Sequence, residues 1–220
     1  MDEQKTPDFS GNDPDSLPRD RLADAAASEA SFEGWTRAAL ASAARGLDLP
    51  VGEAERLFPG GPLQVLTYLS ARSDRRTVED MEKEGVSSLK IRDRIKAAVR
   101  IRLERHAGQR ESARRALSLL SLPFNATLAL KLLYATVDAM WYAAGDTSTD
   151  FNFYTKRATL AGVYSTTLLY WLNDRSAGAE ATWAFLDRRI DDVMRIEKLK
   201  GQVRSWTNPK RTAARPAARR

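Results

Sequence analysis

ARGLDLPVGEAERLFPGGPLQVL, residues Ala44 to Leu66, contains two helix stops with one short helix between them. Gly46 closes the helix written EGWTRAALASAARG, in which Trp35, Ala38, Ala39, Leu40 and Ala43 recur at helical spacing. PVGEAERLF is a further short helix, and the breaker cluster PGGP at 59–62 ends it. Two short helices joined through a glycine turn have the layout of a helix-turn-helix, and the alanine-rich segment Leu17–Ala30 supplies a helix in front of them.

The pattern continues outward as helix after helix. PLQVLTYLSARSDRRTVEDMEKEG runs to Gly85, and Val86–Arg105 is a basic amphipathic helix with Leu89, Ile91, Ile95, Val99 and Leu103 on its apolar face. Pro123 divides SARRALSLLSL from NATLALKLLYATVDAMWYAAG, where Asn125 is the expected cap. Asp150, or Thr149 before it, caps the helix that opens at Phe151 and runs to Leu172. The last helix, Glu180–Trp206, carries Trp183, Leu186, Ile190, Val193, Ile196, Leu199, Val203 and Trp206 three or four residues apart. With no alternating strand pattern, the sequence predicts an all-α protein. Residues 1–16 read as a disordered N-terminus, 17–84 as the helix-turn-helix region, 85–206 as a helical bundle and 207–220 as a basic flexible tail.

Composition narrows the function. The 220 residues include no cysteine, which removes disulfides, thiolate metal sites and thiol catalysis. The net charge of +6 is unevenly spread: residues before Phe32 are mostly acidic, whereas Leu89–Arg115 and the end of the chain are strongly basic. That asymmetry suits an anionic partner or a solvated face. Ala158–Leu172 is uncharged, but as a helix it spans only about 22 Å, short of the ~30 Å hydrocarbon core of a bilayer. The acidic start, without an apolar or Arg-rich leader, predicts a cytoplasmic protein.

The Ala44–Leu66 stretch resembles the end of the DNA-binding module in TetR-type regulators, where a short recognition helix ends in an aromatic and a Pro or Gly turn. The resemblance implies a TetR-like helical bundle. Its helix-turn-helix is degenerate, because the helix equivalent to the reader offers Glu53 and Glu55 with Arg56 as its only cation. Carboxylates facing phosphates forfeit the counterion release that drives DNA affinity, so no nucleic acid is expected. A ligand-responsive transcription regulator is the alternative reading.

Catalytic chemistry is sparse. His106 is the only histidine and reads as a surface residue in a basic segment. Glu104 lies two residues from it, the wrong spacing for a helical metal pair. Asp187, Asp191 and Asp192 alternate with arginines and read as a salt-bridged face. Asp138, alone in an apolar helix, is expected to bond the facing helix. No P-loop, nucleophile elbow or dinucleotide fingerprint occurs. The reading is of no enzyme, no cofactor and no metal.

Asn125–Ala144 and Phe151–Leu172 are apolar on more than one face, with small residues beside Leu and Tyr. Such helices serve a core, a dimer interface or the wall of an apolar cavity. Chosen by helical face, the cavity-facing set is Leu120, Leu128, Leu132, Leu160, Tyr164, Leu168 and Trp171.

The run from Leu120 to Asp192 resembles the ubiquinone-biosynthesis accessory family known as Coq-nine, through the signature W-x-x-A-G-D-x-S-T-D-F-N-x-Y-T-x-R at Trp141–Arg157. The match extends over most of residues 20–202. The resemblance implies a homodimeric, non-catalytic protein with a TetR-like fold. Its bundle at 85–206 would bind an isoprenoid lipid or quinone precursor and present it to a ubiquinone-biosynthesis hydroxylase. It implies a partner-binding patch of Met140, Trp141, Asp150, Asn152, Phe153, Tyr154 and Arg157, with the two rings as anchors and Arg157 as a charged contact. Relatives in eukaryotes carry a further membrane-gripping helix. Here Trp206 and the basic tail are expected to give peripheral contact with an anionic membrane surface, that of the bacterial inner membrane.

Overall fold

The computed structural model describes residues 16–147 and 151–207, the side chains at 151, 152, 194 and 196–207 excepted. Residues 1–15 and 208–220, the proposed caps Thr149 and Asp150, and the Trp206 side chain lie outside that description. Nine α-helices and no strand occur among the described residues, so the all-α expectation holds.

Three helices form the N-terminal layer: α1 (Ser16–Glu33), α2 (Arg37–Gly46) and α3 (Glu53–Leu57). α1 buries Leu22, Ala23, Ala26 and Ala30, a helical stripe narrow enough to bring it close to α2 and its Ala39, Leu40 and Ala43. Thr36 caps α2, its Oγ1 accepting from the Ala39 N–H at 3.0 Å. Trp35 therefore precedes the helix instead of belonging to its apolar stripe; its Nε1 donates to the Ser112 carbonyl at 3.0 Å. After α3, Phe58 is fully buried and meets Tyr68 edge-on at 5.6 Å.

α4 (Pro62–Lys83) starts with Pro62 at the position where a missing N–H costs nothing. It gives Val65 and Tyr68 to the N-terminal core and Met81 to a second core. Its buried Arg72 binds Asp20 at 2.6 Å and also Asp24, both on α1. Tyr68 donates to Asp20 at 2.8 Å, and burial together with that carboxylate pushes its pKa up to about 12.

The remaining helices build the second core. α5 (Ile91–Glu104) is shorter than its apolar pattern, because Gly85 at φ 63° and the 3-10 turn Val86–Ser88 intervene. Leu89 and Ile91 are consequently exposed, while Ile95, Val99 and Leu103 are buried. α6 (Arg110–Leu120) and α7 (Ala126–Ala143) meet at a 95° bend across Pro123. Asn125 does not cap α7; its amide turns back and donates to the Leu119 carbonyl at 2.8 Å.

α8 (Phe151–Asn173) and α9 (Glu180–Thr207) complete the bundle. Asp174 accepts from the Thr182 N–H at 2.9 Å and the Ser176 N–H at 2.8 Å. Burial opposes its charge, yet hydrogen bonds from the Thr182 and Ser176 hydroxyls, joined by these two N–H groups, hold the carboxyl well below the usual range. Asp187 pairs with Lys96 at 2.7 Å, Asp191 with Arg92 at 3.5 Å and Asp192 with Arg189 at 2.8 Å, the salt-bridged face expected of them. No single described helix is long and apolar enough to cross a bilayer; α6 and α7 pass that test only as a bent pair.

Candidate functional site

A cavity of about 830 Å³ lies where α4–α8 fail to close on one another. Its apolar wall is made by Leu117 and Leu120 of α6, Leu130, Leu132 and Leu133 of α7, and Leu168, Leu169 and Trp171 of α8. Small residues open the space: Ala113, Ala116 and Ala129 line it where larger side chains would fill it. Leu130 and Leu169 are 67% and 56% exposed, so the apolar wall reaches the surface between α7 and α8. The volume is that of a small-ligand site.

Of the residues chosen by helical face, Leu120, Leu132, Tyr164, Leu168 and Trp171 line this cavity. Leu128 and Leu160 do not. Leu160 sits one turn beyond Tyr164, where it joins the buried cluster with Val137 and Met140, and Leu128 is half-buried away from the lining. Sequence reasoning overlooked the opposite wall, made by α1, α4 and α5, because their charged residues read as a solvated face.

That wall is polar. The Arg102 Nε donates to Asp74 Oδ1 at 2.9 Å, and its Nη1 reaches Ser73 Oγ at 2.6 Å and His106 Nε2 at 2.5 Å. Ser73 Oγ stands 3.0 Å from the same His106 nitrogen, and Thr136 Oγ1 donates to Asp74 Oδ2 at 3.2 Å. Burial raises the Asp74 pKa against the pull of Arg102. His106 is not the surface residue anticipated: it lines the cavity, and burial followed by Arg102, Arg105 and Arg72 pushes its pKa down to about 3. The imidazole is neutral at ordinary pH. The signal available in sequence was a four-residue spacing, Arg102 to His106, that puts both on one helical face.

A second feature is the corner between α7 and α8. Gly145, at φ 82°, makes the turn after α7. Asp146 then lies buried between two cations, 2.8 Å from Lys156 Nζ and 3.3 Å from Arg157 Nη1. Arg157 also donates from Nε to Asp138 at 2.5 Å and lies over the Phe153 ring, 3.3 Å from its centroid. Asp138 does bond the facing helix.

Two members of the expected partner patch are corrected by this geometry. Arg157 is only 5% exposed and spends its donors internally, so it props the corner and offers no free charge. Met140, 1% exposed, is core. Tyr154 is 66% exposed and stands edge-on to Phe153 at 5.2 Å. Trp141 is half-buried under Lys156, and its Nε1 lacks a partner among the described residues. Asp150 and the Asn152 side chain lie outside the described residues. Among those described, no group of three His, Asp or Glu side chains could hold a metal ion.

Comparison with known proteins agrees with this architecture. The COQ9 family profile matches residues 126–197, from the start of α7 into α9. The mitochondrial ubiquinone biosynthesis protein COQ9 of Rattus norvegicus is 40% identical over 178 residues, 78% of this chain and 57% of that protein. The Homo sapiens protein of the same name is 37% identical over 191 residues, 84% of this chain and 60% of its own length. The chain thus spans less than two thirds of these curated relatives. A solved TetR transcriptional regulator from Nitrosomonas europaea superposes with a TM-score of 0.66 at 24% identity, over 80% of this chain and 97% of that one, and it shows the fold. From α7 into α9, and over most of the rest of the chain, the sequence is similar to the COQ9 family and its mitochondrial members, and the helical bundle shares the fold of that TetR regulator.

Proposed function

We propose that this protein serves ubiquinone biosynthesis without catalysing a step itself, by sheltering the isoprenoid tail of a quinone precursor and presenting it to a hydroxylase. The observation that carries this reading is the leucine-walled cavity of about 830 Å³ opening between α7 and α8. Each CH₂ withdrawn from water contributes about 0.8 kcal/mol, so a few isoprene units hold a tail there with no charged contact. The exposed Tyr154 ring, the edge of Phe153 and Trp141 form the docking surface for the hydroxylase, with Arg157 and Asp146 stiffening it from beneath. Homodimer formation and peripheral contact with anionic membrane complete the proposal.

A DNA-reading role has less support. α3 has five residues, and its Arg56 is neutralised by Glu53 at 2.8 Å. Mass spectrometry of gently purified protein tests the main reading: co-purified isoprenoid or quinone is expected, and protein that carries none and takes up none on incubation would overturn it. Co-purification with the hydroxylase, wild type against Tyr154→Ala, tests the docking surface, and retention of the complex by the variant would remove it.

A further inference from the structure

Phe32 and Phe124 are the most exposed phenylalanines among the described residues, at 81% and 79%. Their settings are opposite. Phe32 ends α1 between Glu29 and Glu33. Phe124 stands at the 95° bend between α6 and α7, with the exposed Leu122 beside it. In a chain that is 29% charged, residues 116–137 around that bend carry a single charge, Lys131. Leu130 and Tyr134, exposed one turn apart on α7, continue the apolar surface away from the bend.

The bend also consumes its own polar groups. Ser118 Oγ donates to the Arg114 carbonyl at 3.1 Å, Ser121 Oγ to the Ser118 carbonyl at 2.8 Å and Asn125 Nδ2 to the Leu119 carbonyl at 2.8 Å. The Ser121 and Asn125 N–H groups donate to the Leu117 and Leu122 carbonyls, each at 2.8 Å. Water would serve these groups at an exposed corner without such an arrangement. Hydrocarbon would not, because a polar group left unbonded there is heavily penalised. A protein partner fits less well: such interfaces carry about one hydrogen bond per 100–200 Å², and the serine and asparagine donors here are already spent. Lys131 suits the boundary, its stem lying along apolar surface while its ammonium stays in water. The cavity opens beside this surface, since the exposed Leu130 and Leu169 both line it.

We infer that the α6–α7 bend, through Leu122, Phe124, Leu130 and Tyr134, inserts into the outer hydrocarbon of a lipid bilayer and seats the cavity mouth on the membrane. The contact is hydrophobic, unlike the electrostatic attraction of a basic tail. It rests on the tail-binding reading only for what passes through the mouth.

The chain has no cysteine, so Leu122→Cys accepts a single environment-sensitive fluorophore on the full-length protein. The probe is phosphatidylcholine vesicles free of isoprenoid, in about 1 M salt, where a Debye length of ~3 Å removes the attraction of the tail. Position 122 should show a blue shift and quenching by brominated acyl chains. The same fluorophore on Val51→Cys, at a fully exposed site in the N-terminal layer, should show neither. Co-flotation of unlabelled protein should fall about tenfold in Phe124→Asp, persist in Phe124→Leu and change less than ~twofold in Phe32→Asp. Unshifted emission at position 122, or flotation that survives Phe124→Asp, would overturn the insertion. Flotation confined to anionic vesicles at low salt would give the membrane contact to the basic tail instead. A blue shift that grows with protein concentration in the absence of vesicles would make the bend an interface between copies. Because the vesicles hold no isoprenoid, each of these failures leaves the tail-binding reading standing.

Discussion

The N-terminal layer and the α5–α8 bundle both pack apolar helix faces together, yet one closes and the other leaves a cavity. In the first, Ala23, Ala26, Ala43, Ala44 and Ala54 let the helices approach until Leu22, Leu57 and Phe58 lose all exposure. In the second, the 95° bend before α7 and the small residues Ala113, Ala116 and Ala129 hold the leucines of α6, α7 and α8 apart. Small residues that face large ones across a straight contact close a core. Placed at a bend, they open it.

The comparison can be broken by experiment, and the largest effect is expected where packing is complete. Phe58→Ala should destabilise the protein by about 3–5 kcal/mol in urea denaturation, since its neighbours have nowhere to move. A loss under ~1 kcal/mol would show the N-terminal layer to be as loosely packed as the bundle. Next comes the corner: Arg157→Ala removes one of two cations from the buried Asp146 and should cost about 2 kcal/mol, while Arg157→Lys restores part of it. Stability unaffected by the truncation would return Arg157 to the role of a surface contact.

A smaller, pH-dependent difference is expected from the polar wall. His106 has a folded pKa of about 3, below the ordinary value, so its contribution is complete above ~6.5 and is lost as pH falls toward that folded value. Wild type should therefore lose more stability between pH 7.5 and 4.5 than His106→Gln does. Parallel pH profiles would mean that the ring is solvated. Smallest of all should be Leu132→Ala in the cavity wall. Its side chain already borders empty space, so the cost should be about 1 kcal/mol, below the usual range for a core leucine. The same substitution should weaken uptake of an isoprenoid probe several-fold.

How far the sequence alone discloses this follows from what a period can encode. The helices and their breakers at Gly46, 59–62 and Pro123 are local matters, and the residues name them directly, as they do the Arg189–Asp192 pair of α9, whereas Asp187 and Asp191 reach Lys96 and Arg92 on α5. The leucine wall was also legible, because Leu120, Leu132, Leu168 and Trp171 lie on predicted apolar faces. The polar wall was not, since Ser73, Arg102 and His106 sit on helices whose charge looks solvated until α4 and α5 are folded against α7 and α8. Arg157 misled for a related reason. A cation beside aromatic residues reads as an interface, but the two aspartates that hold it, Asp138 on α7 and Asp146 in the turn after it, lie off its own helix and meet it only after the corner turns. Helix ends were read least well, as Asn125 shows by tying back to α6 when its place promised a cap.

α4 carries a consequence for the molecule as a whole. The same 22-residue rod gives Val65 and Tyr68 to one interior and Met81 to the other, and Arg72 fastens it to α1 midway. Neither interior can be dissolved while its half of the rod stays folded, so heat should take both in a single cooperative step. A tail bound among the leucines would then raise the melting temperature of α2 and α3, which do not line the cavity.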